Sequence, residues 1–257
     1  MLTDTQRADF ERTGLLRVEG AVPAPDVDAM CDRIWEHVRA EHAMERDDPG
    51  TWQVDTRLSG LRTVGGRREF ERIGSPAMRA ALDGLLGEWT TPAKWGILLV
   101  TFPQLEQTRW DVPFGVWHND FVPYDATRPG LRAVQFFLLL NDILPGGGAT
   151  VVLTGSHRLV EKYADPAGDG PHPKALRQTL ATVDPWLRDL WVRDRPAEDD
   201  RVRRFMTDGA VVDGVPLKVV ELTGRAGDVY FMHCDTFHAA APNCLDRPRM
   251  MATNIIR

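Results

Sequence analysis

Over roughly the first ninety positions apolar residues recur at three- and four-residue steps, and beyond them the pattern changes to short apolar runs broken by proline and glycine. Thr3 followed by Gln6 has the spacing of a capping box and predicts a short amphipathic helix over 4–13. Val27, Met30, Ile34 and Val38 share one face of a longer helix at about 25–44. Ser75 and Pro76 supply N-cap and N1 chemistry for a third helix over 76–88. From there the runs 95–102, 115–121, 131–141, 149–153, 217–222, 228–232 and 250–256 read as strands. Many short strands without helices between them imply an antiparallel sandwich or barrel, so the fold class is mainly β with flanking helices.

Between the two groups of strands, about 160–208, the chain is polar. Its Leu180, Val183, Trp186, Leu187, Leu190 and Trp191 can line helix faces. Two helices packed on the sandwich are the plainer expectation for this insert, and a lid over a substrate mouth is the alternative. With 257 residues the chain can bury a substantial core as a single domain over 1–257. That domain divides into a helical part at about 1–90 and a β core at about 91–257 that carries the insert. A composition of 43% hydrophobic and 26% charged residues is that of an ordinary folded protein.

Charge narrows the partners. A net charge of -6 gives no broad positive field for nucleic acid or an anionic membrane surface, which favours a small-molecule substrate. No apolar run approaches the roughly 20 residues that span a bilayer, and the first residues lack the apolar centre of a signal peptide, so a cytoplasmic location is expected. Cys31, Cys234 and Cys244 are odd in number and lack close pairing, and they read as reduced thiols. Oligomeric state stays open.

The sharpest chemical feature is Trp117-His118-Asn119-Asp120 in an expected strand, where residues two apart point to the same face. His118 and Asp120 can therefore bind one ion. Two histidines and a carboxylate on one face are the donor set of non-haem Fe(II), with three positions left open. The third ligand should lie on a later strand, where both His233 and His238 are candidates. Downstream, Arg247, Arg249, Met251 and Thr253 share a strand face. An arginine pointing into an apolar barrel needs an anion, and a bidentate carboxylate suits it best. Iron and a buried arginine together suggest a dicarboxylate cosubstrate.

These pieces match a known family. WHND at 117–120, VQFFLLLND at 134–142, GGATVVLTGSHR at 147–158 and GDVYFMHCDTFHAAAPNCLDRPR at 227–249 resemble the phytanoyl-CoA dioxygenase family of Fe(II)/2-oxoglutarate oxygenases, and the likeness extends over about 1–257. The resemblance implies a double-stranded β-helix, a jelly-roll core of cupin type. It also implies His118, Asp120 and His238, rather than His233, as metal ligands, with Fe(II), 2-oxoglutarate and O2 as cofactor and cosubstrates. Arg249 matches the arginine that pairs with the distal carboxylate of 2-oxoglutarate. Thr150 matches a hydroxyl that contacts the cosubstrate, and Gln135 is a weaker match of that kind. The usual PGSH reads TGSH at 154–157, and Ala240 stands where some members have a cosubstrate-binding serine.

His157 reads as a structural turn histidine, and His233 as packing or support. Trp117 and Phe137 are candidate pocket walls that can equally be core, and Phe121 and Tyr124 follow the metal hairpin and are candidate substrate contacts. The implied reaction is oxidation of a C–H bond, hydroxylation or a related outcome such as desaturation, cyclisation or epimerisation, since related halogenases replace the aspartate with Gly or Ala. Richness in Arg, Ala, Asp, Pro and Gly, common in GC-rich bacterial genes, points by association to natural-product biosynthesis. The rivals are an acyl-CoA hydroxylase of the same family, a noncatalytic jelly-roll small-molecule-binding protein, and a cupin-like metal hydrolase or isomerase.

Overall fold

The computed structural model describes residues 2–52, 58–104, 109–120, 131–163, 173–191 and 200–257. Helix α1 (Asp4–Thr13) begins as its sequence dictates: Thr3 accepts a hydrogen bond from the Gln6 amide, while the Gln6 side chain accepts one from the Thr3 amide. It ends at Gly14, whose φ of 71° is left-handed. A Cβ on Gly14 would come within 2.5 Å of His157 Nδ1, so glycine is required here for space as well as conformation. After β1 (Leu15–Val18), α2 (Ala24–His42) buries Val27, Met30, Ile34 and Val38, each worth about 1.5–3 kcal/mol when fully removed from water. It stops short of the expected 44 because Ala43 turns left-handed, with φ of 54°. The short α3 (Leu61–Val64) precedes α4 (Pro76–Leu86), whose Ser75 caps the Met78 amide.

The strands are β2 (Ile97–Thr101), β3 (Val134–Leu139), β4 (Thr150–Thr154), β5 (Ala210–Val212), β6 (Val215–Glu221), β7 (Val229–His233), β8 (His238–Ala240) and β9 (Arg249–Ile256). They form a five-stranded sheet in the order β1-β7-β3-β9-β2 and a four-stranded sheet in the order β5-β6-β4-β8. Every strand pair is antiparallel. Together they make the expected double-stranded β-helix, mainly β with flanking helices.

Side chains sort into three layers. Phe136, Leu138, Phe231 and Ala252 on the outer face of the five-stranded sheet pack with Met30, Ile34 and Met78 of the N-terminal helices. Phe137, Leu139, Val152, Tyr230, Met232 and Met251 fill the interior between the sheets. On the outer face of the four-stranded sheet, Val151, Leu153 and Val219 pack with α5 (Ser156–Tyr163), α6 (Pro173–Val183) and α7 (Pro185–Trp191) through Leu159, Leu180 and Leu187. The described helices of the insert are therefore packing elements on the outside of the sandwich. They are followed by a π-helical turn, Arg203–Asp208.

One expected strand does not form. Among the described residues of 115–121, only His118 joins a sheet, through an isolated antiparallel bridge to His238. The physical reason lies in its backbone. Val116 N donates to Phe114 O at 2.6 Å and Gly115 takes φ of 64°, so the chain turns too tightly just before His118 to enter a ladder. The Gly115 and Trp117 carbonyls are satisfied instead by the Arg177 guanidinium, at 2.8 and 2.7 Å.

Candidate metal centre

The bridge that replaces the strand brings two of the expected ligands together. His118 N donates to His238 O at 3.0 Å and His238 N donates to His118 O at 2.8 Å, so the two residues are direct cross-strand neighbours with side chains on one face. Their ring centroids lie 4.4 Å apart. Asp120, two residues on from His118, places Oδ2 3.9 Å from His238 Nε2. One donor atom from each of the three residues lies within 4.8 Å of the others.

The imidazoles are oriented for coordination. His118 Nδ1 faces the Val116 carbonyl at 2.9 Å, and His238 Nδ1 faces the Thr236 carbonyl at 3.2 Å. A carbonyl only accepts, so each Nδ1 carries the proton and each Nε2 keeps its lone pair. Burial, followed by the nearby His118, holds His238 well below the ordinary histidine pKa and keeps it neutral, the form that binds metal. The donor set fits a divalent iron with an open face.

Strand register carries the remaining residues to the same interior face. Thr150 pairs with Ala240, and Val152 with His238, so the buried Thr150 lies on the ligand side of the four-stranded sheet. On the opposite sheet, Phe137 pairs with Thr253 and Thr101 with Arg249. Phe137 is buried with its ring 6.0 Å from that of His238. Gln135 donates through Nε2 to Thr253 Oγ1 at 3.3 Å, while its buried Oε1 meets no donor among the described residues.

Arg249 is the buried cation of this interior. Its guanidinium donates to Gly148 O at 2.8 Å, Leu99 O at 3.2 Å and Thr101 Oγ1 at 2.7 Å. Burial pushes its pKa down to about 10. No carboxylate among the described residues pairs with it. Thr101, as part of this cradle, was not anticipated from sequence, because only the β2–β9 register sets it opposite Arg249. A cavity of about 760 Å³ runs along β2 to Arg249, past Leu58, Leu61 and Leu99.

Other expected residues fall elsewhere. Trp117 points to the opposite side from His118, buried in the outer core of the four-stranded sheet with its Nε1 donating to Pro113 O. It is not brought to the three ligands. Arg247 is exposed and precedes β9, so it does not share the interior face with Arg249. Phe121 and Tyr124 lie outside the described residues. Asn243 is buried, and its side chain bonds the Thr101 and Arg247 carbonyls, tying the turn that precedes β9.

His233 ends β7 on the far side of the interior from the ligands, stacked against His157 with centroids 4.7 Å apart. His157 Nε2 bonds Glu11 O and so fastens α1, the structural part expected of it. His233, Cys234 and Asp235 are also close enough for one ion. Their atoms are otherwise committed: His233 Nδ1 accepts from the Asp235 amide, Asp235 pairs with Arg132, and burial pushes the Cys234 thiol up to about 12. All three cysteines are free.

The ectoine dioxygenase of Nocardia farcinica is 22% identical over 262 aligned positions, covering 89% of this chain and 81% of that protein. The ectoine dioxygenase of Sphingopyxis alaskensis is 25% identical, over 96% of this chain and 73% of its own. Among solved structures, the epimerase SnoN in complex with Fe3+, α-ketoglutarate and nogalamycin RO superposes with a TM-score of 0.56 at 20% identity, covering 98% of this chain and 82% of the other. HygX from Streptomyces hygroscopicus, with nickel and 2-oxoglutarate bound, gives 0.55 at 15% identity over 100% of this chain and 87% of its own. These structures share the fold. The phytanoyl-CoA dioxygenase model matches residues 10–251, nearly the whole chain, and this protein belongs to that family of Fe(II)- and 2-oxoglutarate-dependent oxygenases.

Proposed function

We propose that this chain is a single catalytic domain that hydroxylates a C–H bond of a small molecule in natural-product biosynthesis, using Fe(II), 2-oxoglutarate and O2. The observation that carries the reading is the convergence of His118, Asp120 and His238 on one face of a sandwich whose interior also holds Arg249, which has no carboxylate partner among the described residues. Bound there, iron and 2-oxoglutarate supply the oxidising chemistry, in which the cosubstrate loses carbon dioxide and becomes succinate as the substrate C–H bond is oxidised.

The chain's own residues supply placement. His118 and His238 offer Nε2 lone pairs held in direction by the Val116 and Thr236 carbonyls. Asp120 contributes the anionic ligand that balances part of the ion's charge. Arg249 offers its remaining N–H groups to the distal carboxylate of the cosubstrate, an exchange that relieves its burial. Thr150 and the unpartnered Gln135 Oε1 are further polar contacts on that path. Phe137 forms an apolar wall beside His238 and keeps water from the reacting centre. Retention of Asp120 favours hydroxylation over halogenation. A relative named ectoine dioxygenase and a structural neighbour from nogalamycin biosynthesis support a small-molecule substrate.

The test is succinate release from 2-oxoglutarate by protein reconstituted anaerobically with Fe(II) and then exposed to oxygen, across a panel of small-molecule substrates and acyl-CoA thioesters. Turnover that depends on His118 and Asp120 is expected. Binding of neither Fe(II) nor 2-oxoglutarate favours the noncatalytic binding protein, and activity that survives Asp120→Ala refutes the mechanism.

A further inference from the structure

The residues that carry two of the three ligands lie on backbone that belongs to no strand. Between Val112 and Asp120 the only sheet contact among the described residues is the bridge at His118. A strand in this place would have its carbonyls bonded by a neighbouring strand; here the donors come from the insert, far away in sequence. Arg177 of α6 donates through one nitrogen to both Gly115 O and Trp117 O, and the Trp117 carbonyl belongs to the peptide unit that contains the His118 amide.

A second arginine acts further back on the same segment. Arg201 is buried, donates to the carbonyls of Val112 and Pro113, and reaches the carbonyls of Asp189 and Leu190 in the insert. Its guanidinium lies over the Phe114 ring at 3.9 Å and the Phe205 ring at 4.8 Å. Trp117 completes the attachment, since its buried side chain shares a core with Leu159, Leu180 and Leu187 while its Nε1 bonds Pro113 O. With Trp117 held in that core, His118 and Asp120 lie on the side of the segment that meets His238.

We propose that the insert is the positioning element of the metal centre, and that Arg177, supported by Arg201, sets the backbone from which His118 and Asp120 meet His238. Arg177 touches neither metal nor cosubstrate and acts through two carbonyls. The inference rests on the metal centre proposed above. It assigns the outer insert a role in the chemistry that packing alone does not require.

The test compares wild type, Arg177→Ala and Arg177→Lys by Co(II) titration followed by visible absorption, and by amide hydrogen exchange without metal. Loss of a supporting contact of this kind costs metal affinity roughly 10- to 100-fold, and that weakening is expected in Arg177→Ala. Arg177→Lys keeps a cationic donor and restores most of the affinity. Exchange in Arg177→Ala should quicken across 115–120 and stay unchanged in β3 and β9. Co(II) affinity within about threefold of wild type, well inside the range expected for a supporting residue, overturns the proposal. Should Arg177→Ala fail to fold, Arg177→Gln is measured in the same way, and unaltered affinity there overturns it equally. If wild type binds no Co(II), the proposed metal centre fails by itself. Exchange then decides: quickening at 115–120 upholds the positioning role, and no change refutes it.

Discussion

Replacing Arg249 by Met separates the cost of the buried guanidinium from its purpose. Burial lowers its pKa to about 10, which at about 1.4 kcal/mol per tenfold change in proton affinity corresponds to roughly 3 kcal/mol. The sign is unfavourable to folding: a base whose folded pKa lies below its unfolded value destabilises the fold wherever it is charged. The burden is therefore constant at neutral pH and is relieved only as pH rises above about 10. Against it stand hydrogen bonds to Gly148 O, Leu99 O and Thr101 Oγ1, worth about 1 kcal/mol each. The two sides nearly cancel, so Arg249→Met should change the stability of the ligand-free protein by no more than about 1–2 kcal/mol.

Cosubstrate binding should respond very differently. Removing one partner of a buried charge pair costs about 2–5 kcal/mol, which weakens 2-oxoglutarate binding roughly 30- to 5,000-fold. Urea denaturation with and without 2-oxoglutarate, in the presence of Ni(II), reads both effects together. At a concentration one hundred times its wild-type dissociation constant, 2-oxoglutarate should stabilise wild type by about 2.7 kcal/mol and the variant by no more than about 0.9 kcal/mol. A variant that still gains about 2 kcal/mol from the same 2-oxoglutarate would refute the role assigned to Arg249.

His238→Ala should abolish Fe(II)-dependent turnover and Co(II) binding, while His233→Ala, whose ring stacks on His157 away from the ligands, should retain measurable metal binding; the reverse order would show the wrong histidine chosen. Burial of Glu221 pushes its pKa up to about 7, only partly opposed by the Gly146 amide. The folded state therefore binds protons more tightly than the unfolded chain, and stability falls as pH rises from 4.5 through 7. Glu221→Gln should consequently gain about 1–3 kcal/mol at pH 8 and little at pH 4 in urea melts, and an equal gain at both would exclude this cause. Burial lowers His157 and pushes His233 down to about 3, so stability is fully present above about pH 6.5 and declines as pH falls below it. Because Glu221 titrates in the opposite sense over this range, the effect is read in the Glu221→Gln background, where a loss of about 1–2 kcal/mol between pH 7 and 5 is expected; it should shrink when His233→Asn is added, and an undiminished loss there would point to other groups.

Features governed by neighbours in sequence were legible before the fold was seen. Thr3 with Gln6, and Ser75 with Pro76, located helix starts to the residue, and the runs around Phe136, Phe231 and Met251 located the central strands. The Asp213–Gly214 turn, with φ of 50° and 79°, carries a two-residue hairpin signal that would have revealed β5 and β6 as partners. What sequence could not supply was register and distant donors. The choice of His238 over His233 became physical only when His238 paired with His118, some 120 positions away. The strand expected over 115–121 fails among its described residues because the chain turns tightly at Gly115, and the Arg177 guanidinium that satisfies the Gly115 and Trp117 carbonyls lies some 60 positions away, where no local pattern announces it.

The candidate centre is divided between the two sheets. His238 and Thr150 stand on the four-stranded sheet, with His118 attached at its edge; Arg249 and Thr101 stand on the five-stranded one. A metal held by His118, Asp120 and His238 engages one side of the sandwich alone, whereas a dicarboxylate that reaches from the metal to Arg249 joins the two. The apolar interior between them, Phe137, Val152 and Met251 among its members, has no direction of its own and fixes spacing only by packing. Directional contacts lie at the ends instead: the Gly148 carbonyl orients the Arg249 guanidinium, and the Val116 and Thr236 carbonyls orient the imidazoles. Backbone acceptors that are already bonded thus aim both ends, and the cosubstrate need only bridge a gap whose termini are set before it arrives.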